Sequence, residues 1–238
     1  HNSVFITCKD DISDILNQYI QDWAQIKGKD SINLSYEYEG YFEKIFIIAL
    51  CRYIGYLRTS KGLVTETKGA EAKRSDSTAY QKEFQPMLID KILNKESKDS
   101  IIKWVNQEKK NIRTKPIEYI SMPCKLPSKD YTKTSKTGKL LLPIFVRAIN
   151  NSNSIKKLDC PVGEVLWWNY VEPKMQDTNG KDMDVFAFTK DDKTAISRHK
   201  LDWERIIERN IMSKTEAIFT ANDWSTFEIT NSEQMQLL

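Results

Sequence analysis

The chain has 238 residues, 40% apolar and 29% charged, with a net charge of +3. That profile excludes disorder over most of the length and fits one large domain or two smaller ones. No apolar run approaches the about 18 residues of a membrane span, and no signal peptide is recognisable. A charge of +3 does not by itself point to a nucleic-acid partner, so local clustering matters more. Cys8, Cys51, Cys124 and Cys160 lie far apart without a CxxC pair, which disfavours structural zinc. Reduced thiols in a cytosol-like compartment are the simplest reading, and cytoplasm (host cytoplasm for a viral protein) is the expected location. Two histidines, His1 and His199, leave little for histidine-based chemistry.

In chain order, residues 3–7 (SVFIT) read as a short buried strand that opens mid-element, as in a piece of something larger. Residues 10–26 carry Ile12, Ile15, Leu16, Tyr19, Ile20 and Trp23 at helical spacing, with acids in the first turn and Gly28 at the end. Residues 33–39 alternate polar and aromatic and read as a strand. Residues 45–57 are apolar and β-prone, Ser60-Lys61-Gly62 is a hairpin turn, and residues 63–67 return. Asp76 or Ser77 caps a helix running to Leu93, with Pro86 kinking it or shifting its start. A second helix spans residues 98–110. Residues 111–139 are irregular, with Pro116, Pro123 and Pro127; residues 140–150 are a short helix. Residues 165–171 (VLWWNYV) and 184–188 are strands, with one of Trp167 and Trp168 facing in and the other out. Residues 201–219 form a long amphipathic helix, and a polar tail follows from Asn222. The expected class is α+β: a β-rich first part with one packed helix, then a mainly helical part with a small β subdomain. The boundaries fall at residues 1–76, 77–230 and 231–238.

Residues 125–139 (KLPSKDYTKTSKTGK) place Lys125, Lys129, Lys133, Lys136 and Lys139 at intervals of three or four, among hydroxyl side chains. Lysines neutralise phosphates and hydroxyls bond their oxygens, without any base-reading logic. A solvated basic loop explains the same pattern equally well. Lys73 and Arg74, after a turn at Gly69, form a second basic spot. Asp10, Asp11 and Asp14 are the one tight acidic cluster near the N-terminus; first-turn acids favoured by the helix dipole explain them better than a metal site. No catalytic carboxylate pair, Ser/His/Asp set or phosphate-cradling glycine loop is visible.

The run NLSYEYEGYFEKIFIIALCRYIGYL followed by VTETKGAEAKRSDSTAYQKEFQPMLIDKIL (residues 33–93) resembles the region of family B DNA polymerases after the second catalytic aspartate motif. There an E-Y-E-like strand, a basic-basic-x-Tyr strand and a Gly-x-Glu turn with basic residues lead into the first thumb helix. PIFVRAI (143–149), VGEVLWWNYV (162–171) and LDWERIIERNIMSKTEAIFTA (201–221) are similar to the thumb of phage-type members, in the same order. The resemblance implies the C-terminal part of a palm over residues 1–76 and a thumb over 77–230. It implies grip on duplex primer–template DNA through Arg52, Tyr53, Lys73, Arg74, Arg147 and the lysines of 125–139. In the family, paired lysines precede the strand Tyr and contact the minor groove; here Leu50 and Cys51 stand in their places.

The family's Asp-Thr-Asp motif holds two metal ions and is followed by Ser and an apolar strand. Residues 3–6 fit that strand, but His1-Asn2 precede it. The resemblance therefore implies that Mg²⁺ is bound by residues outside this chain. Synthesis then needs an N-terminal polymerase part with the exonuclease, fingers and remaining palm. His1-Asn2-Ser3 also resembles an intein's splice junction, with a cloning remnant as the alternative. Gln234, Leu237 and Leu238 resemble a peptide that docks on a sliding clamp, with a frayed tail as the alternative. The alternative function is a stand-alone, non-enzymatic nucleic-acid-binding or clamp-tethering module.

Overall fold

The computed structural model describes all residues except 1–4, 8, 9, 31, 71–73, 126–132, 135–139, 174, 177–181, 227, 228 and 230–238. The expected α+β class holds: helices and small sheets alternate along the chain. Two units pack separately. The first comprises His1–Ile45 and Gly55–Glu66, and the second Phe46–Ile54 and Thr67–Leu238.

In the first unit, α1 spans Ser13–Ile26. Asp11 accepts hydrogen bonds from the Ser13 backbone N–H (2.9 Å) and hydroxyl (2.5 Å), and Asp14 lies in the first turn. The acids thus act at the helix start, where the dipole favours them. Those two bonds to Ser13 hold the Asp11 carboxyl below its ordinary value. Gly28, at φ 69, ends the helix in the left-handed conformation that glycine adopts without penalty.

The strand expected over residues 33–39 does not form. Asn17 explains why. Its side chain donates to Tyr36 O (2.9 Å) and accepts from Tyr36 N–H (2.6 Å), while Gln21 donates to Ile32 O (3.4 Å). Helix side chains satisfy backbone groups that a ladder would otherwise use.

The β-prone run 45–57 is shared by two strands. β1 (Tyr41–Ala49) and β2 (Arg52–Thr59) form a hairpin about Leu50-Cys51, where Cys51 takes φ 58. β3 (Gly62–Lys68) returns after the expected Ser60-Lys61 turn, giving the order β1-β2-β3. Gly55 is required: a Cβ there would lie 2.6 Å from Lys44 O and 2.8 Å from the Phe42 ring. Of residues 3–7, expected as a strand, 5–7 carry no ladder and 3 and 4 lie outside the described residues.

The second unit holds three apolar clusters. α2 (Ala79–Leu93) starts at Thr78 with a capping box: the Thr78 hydroxyl accepts from Gln81 N–H, and the Gln81 side chain accepts from Thr78 N–H (both 3.0 Å). The cap is Thr78 rather than Asp76 or Ser77, and Pro86 is accommodated inside the helix. α3 (Lys98–Asn111) is capped by Ser97. Tyr80, Phe84, Leu88, Ile101 and Val105 bury their side chains with residues of the C-terminal helices.

The stretch expected to be irregular after residue 111 holds α4 (Ile117–Ile120), β4 (Met122–Lys125) and β5 (Lys133–Thr134). β6 (Leu140–Leu141) pairs with β5, and α5 runs over Ile144–Ile155. β7 (Val165–Tyr170) sits between β4 and β8 (Val185–Phe188) in an antiparallel sheet, with Met122 opposite Trp168 and Tyr170 opposite Val185. Both tryptophans are covered: Trp168 packs with Ala148 and Leu166, and Trp167 stacks on Phe188 on the other face. β8 is an edge strand closed by α5. Ser152 donates to Ala187 O (2.7 Å) and accepts from Ala187 N–H (2.8 Å), while Asn151 donates to Val185 O (2.9 Å).

After α6 (Thr194–Ser197), the long helix expected over 201–219 begins at Trp203 and is interrupted. α7 (Trp203–Ile207), a π-helical turn (Glu208–Met212) and α8 (Ser213–Ala221) follow without a break. Asn210, 1% exposed, sits in the wide turn. It accepts from the Thr78 hydroxyl (2.6 Å) and donates to Ile206 O (2.9 Å) and Ile120 O (3.4 Å). Gln81 donates to Arg209 O (2.8 Å), so α2 and the π turn are pinned at two points.

Candidate nucleic-acid interface

The start of α7 is anchored on the end of β7. Val171 bridges to Leu201, and Asp202 N–H donates to Tyr170 O (3.2 Å). Asp202 then caps α7 by accepting from Arg205 N–H (3.1 Å). Arg205 and Arg209, four residues apart, share one helix face. That face lies over Tyr170: the Arg205 guanidinium is 5.5 Å from its ring centre and that of Arg209 5.7 Å. Arg209 also lies 4.7 Å over Trp168 and donates to the Tyr170 hydroxyl (2.8 Å).

Asp184, just before β8, joins a third arginine to the set. It accepts from Arg205 Nη1 (2.6 Å) and from Arg147 Nη2 of α5 (2.9 Å). Asp184 raises the Arg205 guanidinium above its ordinary value, so its charge is fixed. Arg147 and Arg205 pair with the two carboxylates Asp184 and Asp202, while Arg209 stacks on the rings, which leaves a positive surplus. The Arg147 Nε is buried without a partner among the described residues. The Arg205 side chain is 48% exposed. Stacking and ion pairing hold these guanidinium groups in place while leaving donors for phosphate oxygens, an arrangement suited to backbone contact rather than base reading. An adjoining cleft adds Lys109 and Arg113 but also Glu204 and Glu208.

Of the residues expected from sequence, Arg147 belongs to this cluster. Lys125 is exposed at the end of β4, opposite Val165. Arg52 is exposed at the start of β2, beside Gly69, where φ is +62 and a Cβ would lie 2.5 Å from Cys51 O, which excludes a side chain. Tyr53 is buried, 6% exposed. Arg74 is exposed and pairs with both Asp76 oxygens (2.9 and 2.7 Å), which holds that carboxyl below its ordinary value. The Lys133 backbone pairs with Leu141. Lys73, Lys129, Lys136, Lys139, His1, Asn2, Ser3, Gln234, Leu237 and Leu238 lie outside the described residues, as does the Lys133 side chain. Arg205 and Arg209 escaped the sequence reading; their spacing beside a Trp-Trp-x-Tyr strand was the available signal.

A family model described as DNA polymerase family B matches residues 2–218. The chain belongs to that family. The matched span runs from ahead of α1 into α8 and takes in every arginine of the cluster. No curated protein matches the chain. Family B polymerases work with divalent metal. Among the described residues of this member, no group of three or more His, Cys, Asp or Glu side chains is placed to hold an ion, so the donors present do not fit one. Among those residues, no helix is long and apolar enough to cross a membrane.

Proposed function

We propose that this family B chain supplies the thumb and the closing part of the palm of a DNA-directed DNA polymerase, and that the thumb grips duplex primer–template through its phosphates. The observation that carries the reading is the arginine surplus on Tyr170 and Asp184. The charge distribution supports it. The first unit has six basic and nine acidic residues, a net −3, and the second has thirty and twenty-four, a net +6. The chain's modest total of +3 hides a positive unit that attracts DNA and a negative one that does not. Arg147, Arg205 and Arg209 form the grip. Arg52, Arg74 and Lys125, exposed in the same positive unit, extend it, together with the basic run 125–139. The carboxylates that hold metal come from another part of the polymerase.

The test is fluorescence anisotropy with a labelled primer–template duplex. Affinity should fall steeply between about 50 and 200 mM salt and vary little with duplex sequence. Affinity insensitive to salt over that range overturns the proposal.

A further inference from the structure

Asp184 is an acid set among the arginines of a phosphate-binding surface, where its own charge repels the ligand. Its side chain is 15% exposed, and its two oxygens serve different helices. Oδ1 accepts from Arg147 Nη2 of α5 (2.9 Å), and Oδ2 accepts from Arg205 Nη1 of α7 (2.6 Å). The backbone beneath the carboxylate is fixed as well. Asp184 O accepts from Val171 N–H (3.0 Å), and Val185, the next residue, pairs with Tyr170 in the sheet. Met183 and Val185 on either side are buried. The carboxylate is thus carried by a rigid sheet edge and joins two helices through their arginines.

Stability is a weak reason for this arrangement, because desolvation offsets most of the attraction in a largely buried ion pair. Direction is what it supplies. A guanidinium holds five N–H donors in a fixed plane, so engaging some of them orients the rest. Arg205 has Nη1 on Asp184 and Nε on Asp202 (3.3 Å), which leaves Nη2 without a partner among the described residues. Arg147 has Nη2 on Asp184 and keeps Nη1 in the same way. A free arginine loses rotamer freedom when a ligand fixes it; here that loss is met on folding, before any ligand arrives.

We propose that Asp184 is a positioning residue for DNA: by holding Arg147 and Arg205 on its two oxygens, it strengthens phosphate contact although its own charge opposes it. The proposal rests on the reading of this surface as the DNA grip.

The test compares Asp184→Asn with the wild-type chain by anisotropy on the labelled primer–template duplex at fixed salt. Asparagine keeps the size and removes the charge. Charge alone predicts tighter binding, since one acid leaves the surface. Positioning predicts binding about fivefold weaker, since the duplex must then order two long side chains. In the Arg147→Ala/Arg205→Ala chain the sign should reverse, and Asp184→Asn should tighten what binding is left, because only the repulsion remains. Glu204→Gln, which removes an exposed acid beside Arg205 on α7, is the charge control and should not weaken binding.

A second measurement needs neither DNA nor a variant. Arginine Nε–Hε relaxation by NMR should find Arg147 and Arg205 ordered in the free wild-type chain. Asp184→Asn should loosen both and leave Arg209, held by the Tyr170 hydroxyl, as it was. Tighter binding by Asp184→Asn in the wild-type chain, or mobile Arg147 and Arg205 in the free wild type, overturns the proposal and leaves the grip reading standing. A wild-type chain that does not bind the duplex overturns both.

Discussion

Asn210→Ala tests how the second unit is held together. The side chain is 1% exposed and makes its bonds at the π turn. Truncation removes the acceptor of the Thr78 hydroxyl (2.6 Å) and the donor to Ile206 O (2.9 Å). Ile120 O keeps a weak partner in Asn169 (3.5 Å), and Thr78 still accepts from Gln81, so the loss is concentrated on one hydroxyl and one carbonyl. Leaving buried polar groups unmatched costs about 1–3 kcal/mol. The freed volume is small and polar, so about 2–3 kcal/mol in total is expected, or about 5–10 °C in Tm for a chain of this size. Urea unfolding of Asn210→Ala, Thr78→Val and the double variant measures it. The two changes should be strongly non-additive, because each removes the same bond. A single-variant loss below about 0.5 kcal/mol, or simple additivity, would refute the view that this pair pins α2 to the π turn.

Gly55→Val should disrupt the β1–β2 hairpin, because its Cβ would meet Lys44 O at 2.6 Å; loss of protection in β1 amides by hydrogen exchange checks this. Thiol alkylation at pH 8 should modify exposed Cys51 well before Cys124, whose thiol burial pushes up to about 12. A raised folded pKa stabilises below the ordinary value of 9.0 and loses that contribution as pH rises toward about 12. Stability measured from pH 8 to 11 should therefore fall more in the wild type than in Cys124→Ala.

The helices were the most legible elements. Thr78 and Ser97 start α2 and α3 with local side-chain bonds, and such signals are written in a few adjacent residues. The strand expected at 33–39 failed for a reason no alternation pattern contains: Asn17, nineteen residues upstream, takes both backbone groups of Tyr36. The π turn was equally hidden, since it depends on Thr78 reaching across 132 positions to Asn210. The candidate site was half legible. Arg147 stood out, but Arg205 and Arg209 look like the solvated face of an amphipathic helix until the Tyr170–Val185 register sets Asp184 and the ring beneath them. The opposed charges of the two units were masked because each unit is assembled from separated stretches of chain.

The most direct test of the account is the salt dependence of duplex binding by Arg205→Ala/Arg209→Ala beside the wild type. Two phosphate contacts removed should reduce the log–log salt slope by about 2 and weaken binding equally on duplexes of different sequence. An unchanged slope, with the fold intact by circular dichroism, would contradict the claim that this arginine surface grips the DNA.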